Sequence, residues 1–454
     1  MRIGCGCGSP EHRISRRRFL FNAAASGAFL AATRRADADV TSTGARMRST
    51  ARACIFVNMV GAPSQLDTFD PKDGSWNPPD ANLQQHPGGI VLSQTMFPNL
   101  SQITGDLCLL HSVQSWEAAH DRGQFYTQTT HPANPAFVAE TPNIGSVVAY
   151  EKGTSGRVPP FMALNSNVVA LQGAKFLGGF DEPFTAPSNP GGLATLQLSG
   201  FPNTQTSQSR FNQRYSLLGD LDGGLRANPY DPDMAAHASY YSAAQQLMYD
   251  PKISSIFSFS SDDDGRYGGT AFGRSCIVAR NAIQARNGTV YVNLFTSGWD
   301  THQSMFDRRY TPNMYQLNGD LDRGLGNLVA DLKQSGDFDQ TLIVALGEFG
   351  RTPGDLNTRG GRDHHPDAMS ALLMGGGVRG GKVIGATDAN GDQVVDFGWS
   401  MKRVIFIEDI TATIYSALGI DWTKSITDTP SGRKFEYVPF GSVGTYVPVE
   451  EVFG

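Results

Sequence analysis

Acids and imidazoles gather at the ends of three apolar runs, in a mixture that metal sites use. Residues 341–347 read Thr-Leu-Ile-Val-Ala-Leu-Gly and stop at Glu348-Phe349-Gly350-Arg351; a polar loop then delivers Gly361-Arg362-Asp363-His364-His365. Residues 289–295 empty into Ser297-Gly298-Trp299-Asp300-Thr301-His302. Residues 54–60 lead to Gly61-Ala62-Pro63-Ser64-Gln65-Leu66-Asp67. Carboxylates mixed with imidazoles suit zinc, manganese or iron, and with more oxygen donors magnesium or calcium; the four ions zinc, manganese, magnesium and calcium are not distinguished by these residues. The expected ligands are Asp67, Asp300, His302, Glu348, Asp363, His364 and His365. Any one of these pieces has a plainer use: Asp-x-His caps loops, Glu348 can pair with Arg351, and two histidines can make a solvated turn. Their common place at the ends of apolar runs is what predicts a metal site.

These runs contain β-branched residues and almost no polar alternation, which predicts strands buried on both faces, as in a parallel sheet. In open α/β sheets ligands sit just beyond the carboxyl ends of such strands. Further strands are expected at 107–110, which runs into His111-Ser112-Val113-Gln114-Ser115 and a helix containing His120, and at 371–374. Leu317, Leu321, Leu325, Leu328 and Leu332 recur at helical spacing and predict a helix over 313–334, ended by Gly336. Other helices are expected at 272–286 and 409–418. Residues 71–98 read as an irregular surface excursion. Residues 153–264 shift to Gly, Asn, Ser, Pro and Gln and predict an inserted, loop-rich cap with one helix around 234–247. The expected fold class is α/β: one domain over 39–454.

The amino terminus is a separate object. Ser15-Arg16-Arg17-Arg18-Phe19-Leu20, a mildly apolar stretch over 21–32 and Ala36-Asp37-Ala38 predict a twin-arginine signal peptide over 1–38. That implies the twin-arginine translocase as a transient partner and a periplasmic or extracellular address. The net charge of −6 becomes about −11 once the seven arginines and two acids of 1–38 are removed, which argues against nucleic acid as a partner. No apolar run after residue 32 is long enough for a membrane helix. Cys54, Cys108 and Cys276 lie in apolar surroundings and are expected as core thiols.

Several motifs are excluded. Gly376-Gly377-Val378-Arg379-Gly380-Gly381-Lys382-Val383 resembles a phosphate loop, and Gly375, Gly377 and Gly380 a dinucleotide motif, but an extended stretch follows where each needs a helix. Asp388-Ala389-Asn390-Gly391-Asp392 starts like a calcium loop with its Gly misplaced and no closing Glu. No Gly-x-Ser-x-Gly and no His-Glu-x-x-His occurs.

The twin-arginine leader, residues 61–72 (GAPSQLDTFDPK), 298–302 (GWDTH), 348–353 (EFGRTP) and 361–365 (GRDHH) together resemble the sulfatase-like family known as domain of unknown function 1501, related to the alkaline phosphatase superfamily. The resemblance implies an α/β/α sandwich with a mostly parallel central sheet, a divalent metal at the strand ends, and hydrolysis or transfer of sulfate or phosphate esters, sulfated or phosphorylated glycans among them. By that likeness Asp67, Asp300, His302, Glu348 and His364 or His365 are the metal set. Ser112 and Ser115 stand near the superfamily's nucleophile place, and Arg351 and Arg362 would grip the ester's anionic oxygens. The chain departs from the pattern in having no Cys/Ser-x-Pro-x-Arg and in placing Glu348 where Asp-His is usual. A non-catalytic envelope protein that keeps the fold and binds polysaccharide or protein is the alternative expectation.

Overall fold

The apolar runs become the inner strands of one eight-stranded sheet in a computed structural model that describes residues 40–41, 44–152, 158–166, 171–173, 175–177, 184–185, 205–227 and 251–454. The strands are β1 (Ala53–Val60), β2 (Cys108–Val113), β3 (Phe161–Leu164), β4 (Phe184–Thr185), β5 (Tyr291–Ser297), β6 (Thr341–Leu346), β9 (Met369–Met374) and β10 (Lys382–Ile384). Two short strands, β7 (Gly350–Arg351) and β8 (His364–His365), form a separate ribbon. The sheet order is β10-β2-β9-β6-β1-β5-β3-β4. Every neighbouring pair is parallel except those of β9, which runs antiparallel to both β2 and β6. The carboxyl ends of β1, β5 and β6 therefore share one edge, the place where such sheets carry ligands.

Helices cover both faces: α1 (His120–Thr129), α2 (Ile144–Lys152), α4 (Ala271–Gln284), α5 (Met314–Ser335) and α6 (Ile407–Ala417), while α3 (Gln205–Ala227) adds no residue to the core clusters among the described residues. Alternate residues of β1 serve opposite layers, as a two-residue period requires. Ala53, Ile55, Val57 and Met59 pack in the cluster that includes Phe272 and Ile277 of α4 and Leu321 and Leu325 of α5. Cys54 and Phe56 pack in the other, with Val147 of α2 and Ile410 and Ile414 of α6. The result is a mixed α/β/α arrangement. Asn313 caps α5 by accepting from the Gln316 amide, and Gly336, at φ 74°, ends it, so that β6 starts a few residues later.

The span expected as a cap contributes two strands to the main sheet, since β3 pairs with β5 and β4 with β3. Four apolar residues, Phe161 to Leu164, are too few to show a period. Residues 71–98 carry a small hairpin, Leu83–Gln85 against Val91–Ser93. The leader over 1–38 and the helix expected around 234–247 lie outside the described residues. Cys54, Cys108 and Cys276 are buried and free, and burial pushes the Cys108 thiol up to about 12.

Candidate metal centre

Four elements deliver the site. Asp300 and His302 follow β5, Glu348 follows β6, Arg351 and His364 face each other across the β7-β8 ribbon, and His120 opens α1. Opposed residues of an antiparallel pair project to the same side, so the ribbon presents Arg351 and His364 together and turns His365 away. Two glycines allow the chains to close in. Gly61, at φ 106°, lies so near the Asp300 amide that a Cβ would stand 2.5 Å from its nitrogen. A Cβ on Gly361 would stand 2.2 Å from the His302 carbonyl carbon.

His120, Asp300, His302 and His364 each offer one ligand atom, all within 4.8 Å of one another. Asp300 Oδ1 is the focus: it lies 3.1 Å from His120 Nε2, 3.0 Å from His302 Nε2 and 3.8 Å from His364 Nε2. His302 Nδ1 donates to Asp363 Oδ1 at 2.7 Å, and His364 Nδ1 donates to the Ala118 carbonyl at 2.7 Å. Each of these rings thus carries its hydrogen on Nδ1 and keeps a lone pair on Nε2. Those two Nε2 atoms are only 3.1 Å apart. Lone pairs so placed repel unless a cation or a proton lies between them. Donors held at about 2.0 to 2.2 Å from a common ion stand about 3.0 to 3.5 Å from each other, so three of these separations match a shared cation and the His364 one is slightly longer.

A positive charge is already built in beside these atoms. The fully buried Arg351 guanidinium is anchored by the carbonyls of Gly61, Ala62 and Arg362 and reaches Asp300 Oδ1 at 2.6 Å and His302 Nε2 at 3.3 Å. Gln65 fixes its backbone from both sides, accepting from the Arg351 amide and donating to its carbonyl, each at 2.9 Å. Burial raises the Asp300 carboxyl, but Arg351 with His120 and His302 outweighs it and holds the group below the usual carboxylate range. Burial lowers the Arg351 guanidinium from its ordinary value. The Glu348 carboxylate raises His120, whereas burial lowers His364. Glu348 Oε1 accepts from the Gly61 amide at 3.0 Å and from the Gln124 side chain, while Oε2 is buried with no partner. The 3.6 Å from His120 Nδ1 to Glu348 Oε1 is too long for a hydrogen bond, and the contact is electrostatic.

Of the residues singled out in the sequence, Asp300, His302, His364 and Arg351 meet here and Glu348 borders them. Asp67 is held elsewhere, its Oδ2 accepting from Arg362 Nε at 2.6 Å and Ser64 Oγ at 2.5 Å. Asp363 stands behind His302 and also takes Arg359, so it orients that ring and is outside the cluster. His365 turns to the Asp392 carbonyl at 2.9 Å. Ser112 donates to the Phe397 carbonyl at 2.8 Å, and Ser115 Oγ accepts from the Glu117 amide at 3.2 Å. Arg362 spends its Nη1 on the Thr352 and Gly354 carbonyls at 2.8 and 2.7 Å. His120 was not among the expected ligands; its signal is the one shared by the others, an imidazole a few residues beyond a strand end.

Solved structures similar to this chain include a protein in the alkaline phosphatase superfamily from Vibrio parahaemolyticus, at 10% identity over 89% of this chain and 76% of that one, with a TM-score of 0.38. A phosphonate monoester hydrolase from Silicibacter pomeroyi is 13% identical over 81% and 73%, with a TM-score of 0.38. The PsFucS1 sulfatase from Pseudoalteromonas sp. is 12% identical over 91% and 72%, with a TM-score of 0.33. No curated protein matches the chain in sequence. The sequence profile of a family described as "Protein of unknown function (DUF1501)" matches residues 51–443.

Proposed function

The chain belongs to that family, and on this premise we propose that it is a metal-dependent hydrolase of sulfate or phosphate esters. The observation that carries the reading is the pair of imidazole lone pairs 3.1 Å apart, each fixed by a bond at the far nitrogen and both near one carboxylate oxygen. His120, Asp300, His302 and His364 would hold the divalent ion, and three imidazoles to one carboxylate favour zinc or manganese over magnesium or calcium. Such an ion supplies Lewis acidity, lowering the pKa of a water and offsetting charge on the ester.

The chain's own groups then have distinct tasks. Arg351 cannot swing away, because three carbonyls hold it, and with its remaining N–H groups on Asp300 and His302 it stands behind the cluster as a fixed charge that offsets the negative charge of a bound ester through space. The Glu348 carboxylate, with its Oε2 unpartnered, lies beside the His120 ring and can take the proton of an attacking water. The support for water as nucleophile is that the hydroxyls of Ser112 and Ser115 are engaged elsewhere. That same observation favours a second reading, an envelope protein that binds anions at this site without turning them over.

Metal analysis of the purified full chain, with aryl phosphate and aryl sulfate assays before and after chelation, separates the two. Bound metal and chelator-sensitive hydrolysis, both lost in His302→Ala and His364→Ala, are expected. Bound metal without turnover on either ester selects the second reading; no retained metal overturns the proposal. The reading includes export by the twin-arginine route, supported by Arg16-Arg17-Arg18 and the stretch after it. Lys at positions 16 and 17 is expected to leave the protein in the cytoplasmic fraction, and unchanged fractionation refutes export. Among the described residues no helix is long and apolar enough to cross a membrane.

A further inference from the structure

Trp116 stands open where Trp299, Trp399 and Trp422 are buried: 59% of its surface is exposed. Its indole lies face to face with the Phe406 ring, centroids 4.3 Å apart and planes 5° from parallel. One face is therefore backed and the other is turned to solvent. The backbone beneath it is tied down, since the Ser115 amide donates to the Pro366 carbonyl at 3.0 Å and Gln114 Nε2 to the Asp367 carbonyl at 2.7 Å. Two residues on, the Ala118 carbonyl holds the cluster ligand His364. Two residues span at most about 7 Å, so the backbone that carries the indole lies next to the cluster.

A large apolar ring that is rigid, backed and open has its ordering cost already met, as a binding platform requires. The side chains that follow it are of a kind to meet hydroxyls. Glu117 and Arg122 pair at 2.7 Å with the arginine mostly open to solvent, and Asp121 and Asp367 are exposed. A pyranose fits this pattern: its C–H face lies on an indole while its hydroxyls need carboxylate, guanidinium and amide partners. A nucleobase fits it less well, because it stacks on the indole but brings no ring of hydroxyls to the carboxylate and guanidinium groups beside it.

We propose that Trp116 is the stacking platform for the sugar ring of the substrate, which makes the substrate class a pyranose sulfate or phosphate; the claim rests on the reading of the cluster as an ester site. Calorimetry on the metal-loaded full chain with galactose 6-phosphate, galactose 6-sulfate, inorganic phosphate and adenosine monophosphate tests it. The sugar esters should bind about tenfold or more tighter than inorganic phosphate; Trp116→Ala should erase that advantage, and Trp116→Phe should keep most of it. Equal sugar-ester affinity in wild type and Trp116→Ala overturns the proposal, as does tighter, Trp116-dependent binding of adenosine monophosphate. Methyl β-galactoside, which carries no ester, should still quench the intrinsic fluorescence of wild type and not of Trp116→Ala. Absence of that quench counts against the platform alone, whereas failure of inorganic phosphate to bind counts against the ester site alone.

Discussion

Replacing Asp67 separates a structural carboxylate from a metal ligand. Its Oδ2 meets Arg362 Nε at 2.6 Å, and both side chains are almost wholly out of solvent. Two unit charges about 4 Å apart in an effective dielectric of about 20 attract by about 4 kcal/mol, and cutting one partner from a buried pair costs about 3 to 5 kcal/mol because the other charge stays behind. Arg362 is poorly placed to absorb the loss, as its Nη2 already lacks a partner. Asp67→Asn should therefore lower unfolding stability by about 3 to 5 kcal/mol in urea titration while the folded protein keeps its metal content. The double variant Asp67→Leu, Arg362→Met should recover part of the loss, since neither charge is then buried. Loss of metal with unchanged stability would refute this assignment and return Asp67 to the ligand set.

Asp363→Ala removes the acceptor behind His302 and should weaken metal affinity by about 10- to 100-fold, read by competition with a chromophoric chelator. Leu325→Ala, in the packed face of α5, should cost about 2 to 5 kcal/mol in denaturant titration with metal content unchanged. Burial raises the Glu408 carboxyl to about 7, against the donated bond from Tyr126, so the folded state favours its neutral form. Its contribution is complete below the unfolded carboxyl range and is lost as pH rises toward about 7, a fall of up to about 3 kcal/mol. Glu408→Gln should flatten that slope between about pH 5 and 7 in pH-dependent melts.

The strands that position the site were legible because burial on both faces leaves a continuous apolar run, as in 54–60 and 341–347, and α5 because its leucines keep helical spacing. The reversed direction of β9 was not, since Ala371-Leu372-Leu373-Met374 reads the same either way along a buried sheet. Asp300, His302 and His364 stood out by their place past strand ends. Asp67 and His365 stood out for the same reason and point elsewhere, because the deciding contacts, Arg362 for one and Asp392 for the other, come from distant segments. His120 was hidden by its helix: the buried face of α1 includes Gln124, Thr127, Gln128 and Thr129, so no apolar stripe marks which side faces inward.

Gly61 ties the strand ends together with main-chain atoms alone. Its amide holds Glu348, its carbonyl holds Arg351, and its α-carbon lies against the Asp300 backbone. A knot of this kind couples the three walls mechanically, so that a substitution tilting one of them drags the other two. What the site admits is then most easily altered on the outlying rim, where side chains can change without pulling on the knot.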